Sequence, residues 1–235
     1  MSADRVKGKA RDAGTGVIAA WDTCTTRGAL AVARGGRVLA HEYFEAVKGH
    51  TGWLMPQLDQ AVRSLGMAPG DIELIAAGVG PGTFTGVKVG ISTAKAVALA
   101  LGVPLAAMPT LDVLARQAPE GARGVIAAVD ARRGQLYAAV YRCDAGEFER
   151  LTDYLCLEPG GLLEVLKSLG VEDAAFVGAV PAPLFDELAS GVRLEAVGEK
   201  YPTAEALVGL AVEMARADEL TDAVGALPVY LKEPV

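Results

Sequence analysis

The sequence predicts an α/β protein in which one folding unit occurs twice, and three observations support this. A strand-like segment at residues 16–22 recurs almost unchanged at residues 124–130, with six of seven positions identical. Each copy is followed by further strand-like segments joined by a tight turn, a pattern typical of a β-meander. Each meander is then followed by alternating helical and strand-like segments. Duplication explains this agreement better than chance, although Ala, Val and Gly are abundant in the chain.

The first copy continues with strand-like segments at residues 29–33 and 38–44. Residues 51–65 carry apolar side chains at helical spacing, which predicts an amphipathic helix. A buried strand is predicted at residues 72–77, because the segment is short and mostly apolar. Residues 87–101 contain helix formers and small residues, and they predict a long helix.

The second copy repeats this order with shorter elements. Its meander continues through residues 135–141 toward a third strand within residues 148–157. Short helices are predicted at residues 162–169 and 184–189, on either side of a strand at 174–177. The two copies therefore agree in element order as well as in their first strand.

Two copies of this order, each with an aspartate ending its first strand, match the duplicated actin-like (ASKHA, ribonuclease H-like) fold with two lobes. We expect a disordered extension at residues 1–15 and an N-terminal lobe at 16–109. The C-terminal lobe is predicted at 110–202. A C-terminal helix and tail at 203–235 are expected to pack back on the first lobe.

Composition excludes several classes of protein. The chain has 22 Lys and Arg against 29 Asp and Glu, a net charge of −7, which argues against gripping nucleic acid alone. Uninterrupted apolar runs fall short of a membrane span, and the N-terminus lacks the apolar core of a signal peptide. Three scattered cysteines do not predict a disulfide framework or a zinc site. These features predict a cytoplasmic protein with no membrane partner.

The most informative segment is the glycine-rich stretch at residues 78–90, between the predicted strand and the long helix. A strand, a glycine-rich turn and a helix start predict an anion-binding loop. However, Val89 stands where a Walker A loop requires Ser or Thr, and the glycine spacing does not match a dinucleotide fingerprint. The segment is thus neither of the common nucleotide-binding loops.

With these motifs the chain resembles the TsaB family, which acts in the synthesis of threonylcarbamoyladenosine in tRNA. The sequence Gly-Pro-Gly-Thr-Phe-Thr-Gly at residues 80–86 is highly specific to that family. Weaker matches occur at the strand end 21–25, the helix start 50–58, the turn 130–134 and the C-terminal segment 228–232. Cys24 departs from the family, which usually has Ser at this position.

The resemblance implies a non-catalytic scaffold or dimerisation subunit, not an enzyme on its own. It implies a catalytic partner, TsaD, which modifies adenosine 37 of tRNAs reading ANN codons, and a third protein, the ATPase TsaE. It also implies that the chain contacts tRNA only as part of the complex, and that the partner subunits bind ATP and metal. His41 and His50 are nine residues apart, so they cannot form the one-turn histidine pair of a metal site.

The resemblance further implies that the helices at 51–65 and 87–101 form the dimerisation face. Small residues every fourth position on the second helix would allow close approach of another helix, although packing on the chain's own sheet is the alternative. An exposed apolar helical face also predicts a homodimer of the isolated chain. The candidate interface residues are His50, Leu54, Leu58, Val62, Gly86, Val87, Gly90, Ile91, Ala94 and Ala98.

A second hypothesis is a small-molecule kinase or ATPase of the same fold. Asp22 and Asp130 occupy places where actin-like ATPases keep acidic residues, but each aspartate could instead cap the turn that ends its strand. Candidate weak nucleotide-binding residues are Asp22, Thr23, Gly82 and Thr83. A third hypothesis is a metallopeptidase, but the chain lacks the histidine pair that would bind its metal.

Two further features have ordinary interpretations. Cys24 lies between two threonines, and we interpret it as a small buried thiol rather than a nucleophile. Arg132 and Arg133 lie in a turn, where an exposed pair is commonly just solvated.

Overall fold

The structure is a computed structural model that describes residues 16–45, 52–144, 147–198 and 200–232. The extension predicted at residues 1–15 lies outside the described residues. The strands are β1 (Val17–Asp22), β2 (Arg27–Arg34), β3 (Arg37–Glu45), β4 (Ile72–Gly78), β5 (Leu105–Met108), β6 (Gly124–Arg132), β7 (Gln135–Asp144), β8 (Glu147–Arg150), β9 (Leu155–Leu157), β10 (Asp173–Val177) and β11 (Arg193–Ala196). The described α-helices are α1 (Leu54–Ser64), α2 (Phe84–Leu101), α3 (Thr110–Ala115), α4 (Pro159–Ser168), α5 (Ala182–Ala189) and α6 (Ala204–Arg216), and a short 3-10 helix spans Pro69–Asp71.

The chain divides into two compact units. Unit 1 extends to Thr110 and resumes at Pro202–Val229, whereas unit 2 comprises Leu111–Tyr201 and the residues from Tyr230 onward. The boundaries predicted at 109/110 and 202/203 each lie one residue from these divisions. The C-terminal segment, which we predicted as one piece, is shared between the units.

Unit 1 is built on a five-stranded sheet of order β3-β2-β1-β4-β5. The central strand β1 pairs antiparallel with β2 and parallel with β4. All six residues of β1 are buried, because both faces of the sheet are covered. Val17, Ala19 and Trp21 pack in the cluster formed with α1 and α2. Alternation along the strand directs Ile18 and Ala20 to the other face, and α6 packs across β1, β2 and β3.

Unit 2 is built on a six-stranded sheet in which five strands have the corresponding order β8-β7-β6-β10-β11, and the sixth, β9, also pairs with β7. Its central strand β6 pairs antiparallel with β7 and parallel with β10. Alternate residues of β6 pack in two clusters, one with α4 and α5 and the other with α3. The shared order, with the repeated strand central in each sheet, confirms that one α/β unit occurs twice.

Several elements differ from the sequence prediction, and one of them is the short helix α3, which was not predicted. The single strand predicted within residues 148–157 is two strands, β8 and β9, which pair with different parts of β7. Between them, the Thr152 hydroxyl accepts the backbone N–H of Val140 at 3.1 Å and interrupts the ladder. The strands β5 and β11 were not predicted, since each has four residues and lacks the β-branched pattern of a strand.

Helix α2 is, by length and composition alone, the one helix among the described residues that could cross a membrane. It contains Lys88 and Lys95, so the sequence shows no uninterrupted apolar run there. Helices packed in protein cores often have the same length and composition. One side of α2 is packed in this way against the strands of unit 1.

Candidate functional site

The turn that follows β1, at Asp22–Thr25, packs directly against residues 78–90, which we call the glycine segment. Four glycines of this segment, spaced four residues apart, each approach one residue of the turn. Added Cβ atoms would overlap the Asp22 carboxylate at Gly78, the Cys24 carbonyl at Gly82, the Thr23 carbonyl at Gly86 and the Thr23 hydroxyl at Gly90. The glycines are therefore required by close approach of the turn, because no larger residue fits between the two segments.

Hydrogen bonds hold the turn in place. The backbone N–H of Cys24 donates to Asp22 Oδ1 at 2.7 Å, and the Thr110 hydroxyl donates to Asp22 Oδ2 at 2.8 Å. The backbone N–H of Thr83 donates to the carbonyl of Cys24 at 2.7 Å. The Thr23 hydroxyl donates to a backbone carbonyl of α2 at 2.6 Å. Both carboxylate oxygens of Asp22 thus accept hydrogen bonds from within unit 1.

Burial changes the acidity of two side chains in this turn. Asp22 has no exposed surface, and burial raises the pKa of its carboxyl group, although the bonds from Cys24 and Thr110 oppose the rise. Burial also raises the pKa of the Cys24 thiol well above its usual value, and the neighbouring Asp22 carboxylate adds to this. Because a thiolate is the reactive form of cysteine, Cys24 is an inert thiol here.

Two backbone donors that a nucleotide phosphate could use are already occupied in this turn. Asp22, Thr23, Gly82 and Thr83, the candidate nucleotide-binding residues, do lie together. However, the backbone N–H groups of Cys24 and Thr83 already have acceptors, and a phosphate site requires N–H groups free to donate. The Cys24 carbonyl also covers Gly82. The glycine segment is thus a packing surface for the turn.

The predicted interface residues of α2 face the sheet of unit 1, and this corrects their expected position. Val87 and Ala94 have no exposed surface, and Trp21 Nε1 donates to the carbonyl of Gly90 at 3.1 Å. A partner could not reach this side of α2 without unpacking the unit. The buried residues are Gly86, Val87, Gly90, Ile91, Ala94 and Ala98.

A second row of small residues lies on the opposite side of α2. Ser92, Ala96 and Ala100 are exposed. Each follows a buried small residue (Gly90, Ala94 or Ala98) by two positions, which corresponds to a rotation of about 200° around the helix axis. Leu99, close to this row, is 73% exposed. The small-residue surface that another helix could approach is therefore this outer row.

An apolar groove of about 560 Å³ runs between α1 and this outer side of α2. On α1 it is lined by Met55, which is 47% exposed, and by the largely buried Leu58 and Val62. On α2 it is lined by residues that include Ala96 and Val97. Two of the predicted α1 interface residues thus form the floor of a surface groove.

The other two predicted interface residues before the glycine segment have different outcomes. Leu54 is 2% exposed and belongs to the core of unit 1. His50 lies outside the described residues. Among the described residues no group of three or more metal-ligating side chains comes together.

Unit 2 contains a polar cluster that the sequence analysis did not predict. Asp112 on α3 accepts hydrogen bonds from the hydroxyls of Tyr141 at 2.7 Å and Tyr154 at 2.8 Å. Burial, followed by the Asp112 carboxylate, raises the pKa of both phenols, so both remain neutral donors. Arg150 lies over the Tyr154 ring, 4.0 Å from its centroid. This cluster ties α3 to β7 and to the segment after β8.

Tyr154→Phe should lower the free energy of unfolding by about 1 kcal/mol, because Asp112 loses one of its two phenol donors. Urea unfolding would measure the change. Tyr137→Phe is the control, since the Tyr137 hydroxyl bonds to no residue in the described part of the chain and its loss should have little effect. Equal effects of the two substitutions would contradict a role for the Asp112 bond.

Comparison with known proteins identifies the family. A family model described as TsaD, tRNA N6-adenosine threonylcarbamoyltransferase, matches residues 44–226. The tRNA threonylcarbamoyladenosine biosynthesis protein TsaB of Escherichia coli is 32% identical over 222 residues, which cover 93% of this chain and 95% of that protein. The chain belongs to the TsaB family. The Bacillus subtilis TsaB protein is 31% identical over 150 residues, 64% of this TsaB-family chain and 66% of the relative.

Solved structures agree with this assignment. YeaZ from Pseudomonas aeruginosa superimposes with a TM-score of 0.78 at 29% identity, over 92% of this chain and all of that one. An activator of 2-hydroxyisocaproyl-CoA dehydratase from Clostridium difficile, with bound ADPNP, has a TM-score of 0.50 at 13% identity, over 86% of this chain and 97% of the other. At this identity the likeness concerns the fold alone. Together they confirm the predicted actin-like fold.

Proposed function

We propose that this chain is a non-catalytic subunit of the complex that forms N6-threonylcarbamoyladenosine at position 37 of tRNAs reading ANN codons. It binds a TsaD-family catalytic subunit, and a TsaE-family ATPase joins them in the cytoplasm. ATP and metal belong to these partners. The observation that carries the proposal is the open apolar groove between α1 and α2 in a TsaB-family chain.

The groove has the features of a helix-binding surface. Its walls are two helices, and the exposed side of α2 carries Ser92, Ala96 and Ala100 in one row. Small side chains allow a partner helix to approach closely, while the exposed Met55 and Leu99 gain contacts when covered. Exposed apolar surface of this kind commonly marks an interaction site.

The turn after β1 supports a scaffold role over a kinase or ATPase role. In this turn the carboxylate oxygens of Asp22 accept hydrogen bonds from Cys24 and Thr110. No contact of the described residues favours the kinase alternative. Titration of the isolated chain with Mg-ATP tests it directly, and micromolar binding with turnover would support that alternative instead.

Ala96→Trp should weaken binding to the TsaD-family subunit by at least tenfold, because the indole fills the groove that the partner helix would occupy. Ala96 is exposed, so the isolated chain should keep its melting temperature. Calorimetric titration of purified subunits measures the affinity, and formation of the modified nucleoside by the reconstituted complex measures activity.

Ala189→Trp is the matched control, since Ala189 is an exposed helical alanine at the end of α5. It should bind the catalytic subunit as the unchanged chain does. Light scattering of the isolated chain would show whether the same groove forms a homodimer. Full affinity of the Ala96→Trp chain for its partner would rule the groove out as the interface.

A further inference from the structure

The β6–β7 hairpin of unit 2 has an arginine pair in an unfavourable backbone conformation. Arg132 pairs with Gln135, so Arg133 and Gly134 form a two-residue connection. Their φ angles are +56° and +76°, and Arg132 has φ +65°. Positive φ at both connecting residues is the pattern of a type I′ turn. Three successive residues thus adopt the left-handed region, and two of them are arginines.

An arginine is a poor residue for this turn. Side chains other than glycine, asparagine and aspartate are disfavoured in the left-handed region, and type I′ turns prefer Asn-Gly. Here Arg133 takes the position that asparagine would favour. The turn is therefore less stable than it would be with asparagine at position 133. Unfavourable backbone conformations of this kind are often found at functional sites.

The rest of unit 2 braces this turn from two sides. Asp130 Oδ1 accepts the backbone N–H of Arg132 at 2.7 Å, and its other oxygen lies 3.1 Å from the Arg132 guanidinium. The register shifts between Asp130 and Arg132, which makes Ala131 a bulge residue. Lys232 Nζ donates to the carbonyl of Ala131 at 2.8 Å. Bulges of this kind redirect neighbouring side chains.

The braced turn presents positive charge without apolar surface. The Arg132 side chain is 72% exposed, and Arg133 is exposed with no ion pair among the described residues. Lys232 adds a third cation beside the bulge. The four residues of the turn, Arg132 to Gln135, include no apolar side chain. A protein interface usually has an aromatic or aliphatic anchor, whereas contacts to a phosphate backbone are made by charged and polar groups, arginine and lysine foremost, and need no such anchor.

We propose that this turn contacts the phosphate backbone of tRNA when the chain is part of its complex. The inference rests on the proposed function, which supplies the tRNA. One such contact is too weak for a chain of net charge −7 to bind tRNA alone. Within the complex it adds to the contacts of the partners, and the guanidinium of Arg133 pairs with phosphate oxygens.

Arg133→Asn is the decisive variant. It places the preferred asparagine before Gly134, so the melting temperature of the isolated chain should rise by about 2–4 °C. In the reconstituted complex, affinity for unmodified tRNA should fall about tenfold at 0.15 M salt. The slope of log affinity against log salt should decrease in magnitude by about 1, the value for one phosphate contact.

Two variants at the same position separate charge from backbone geometry. Arg133→Gln removes the charge and keeps the unfavourable φ, so it should weaken tRNA binding without raising the melting temperature. Arg133→Lys should keep most of the salt slope. Arg142→Asn is the matched control, because Arg142 is an exposed arginine of β7 paired with Glu149, and it should leave tRNA affinity unchanged.

All these variants should bind the catalytic subunit normally, so failure of this inference is distinct from failure of the groove. Unchanged tRNA affinity and salt slope for Arg133→Asn would overturn the proposal. Loss of the catalytic subunit instead of tRNA would also overturn it, since the turn would then contact an acidic protein surface.

Discussion

Gly86→Ala should lower the free energy of unfolding by about 3 kcal/mol, and with it the melting temperature by roughly 6–12 °C. In an exposed helical site the same substitution stabilises a protein, because alanine favours the helix. At Gly86 the added methyl group would overlap the backbone carbonyl of Thr23. The turn after β1 cannot move aside, since the Thr23 hydroxyl is bonded to α2 and Asp22 is fixed by two hydrogen bonds.

Gly209→Ala is the matched control for this effect. Gly209 lies in α6 of the same unit, is exposed, and has open space where a Cβ would be placed. It should raise the free energy of unfolding by up to about 1 kcal/mol. Thermal and urea unfolding of the two variants give the comparison. Stabilisation by both substitutions would mean that the turn does not press on the glycine segment.

For the glycine segment, the sequence predicted the local structure but not the reason for the glycines. The order of strand, glycines and helix predicted the local structure correctly, and the spacing excluded the common nucleotide loops. The function of the glycines could not be predicted, because they are required by contact with the turn at Asp22–Thr25. That turn is more than 50 residues earlier in the chain, and nothing in the segment itself specifies such a neighbour.

Helix α2 illustrates the same limit for the interaction surface. Its sequence contains two rows of small residues, one including Gly90 and Ala94 and the other including Ala96 and Ala100. Both rows could pack closely against another helix or sheet, so the pattern does not show which row faces inward. The answer depends on Trp21 and the turn after β1, which occupy the first row. The predicted interface residues of α2 therefore lie on the side that packs against the sheet, and the outer row is the side that is exposed.

The duplicated fold was predictable because its first strand is repeated almost exactly and is buried on both faces in each unit. The edge strands β5 and β11 were not, because short strands at a sheet edge lack a strong pattern. The sequence also did not predict the backbone conformation of the β6–β7 turn. Arg132 and Arg133 looked like an ordinary solvated turn, and only their positive φ angles distinguish them.

The effect of Asp22→Asn on stability should depend on pH. Burial raises the pKa of Asp22 above its ordinary value of 3.8 in the folded chain. Between 3.8 and the raised pKa, the folded state binds a proton that the unfolded state releases, so the stability of the unchanged chain falls as pH rises. Asparagine resembles the protonated carboxyl group and does not titrate. The variant should therefore gain stability relative to the unchanged chain as pH rises through this window, and keep that gain at pH 7.

Asp22→Ala separates the charge from the hydrogen bonds. It leaves the Cys24 N–H and the Thr110 hydroxyl without their acceptor in a buried site, so it should be about 3 kcal/mol less stable than the asparagine variant at every pH, because neither of these two variants titrates at position 22. Urea unfolding of the three chains between pH 4 and pH 8 gives both comparisons, with the other carboxylates cancelling in each difference. A stability difference between the asparagine variant and the unchanged chain that stays constant over this range would show that Asp22 does not titrate there. With either outcome, Asp22 is a buried acceptor at the end of β1 that binds the Cys24 N–H and the Thr110 hydroxyl.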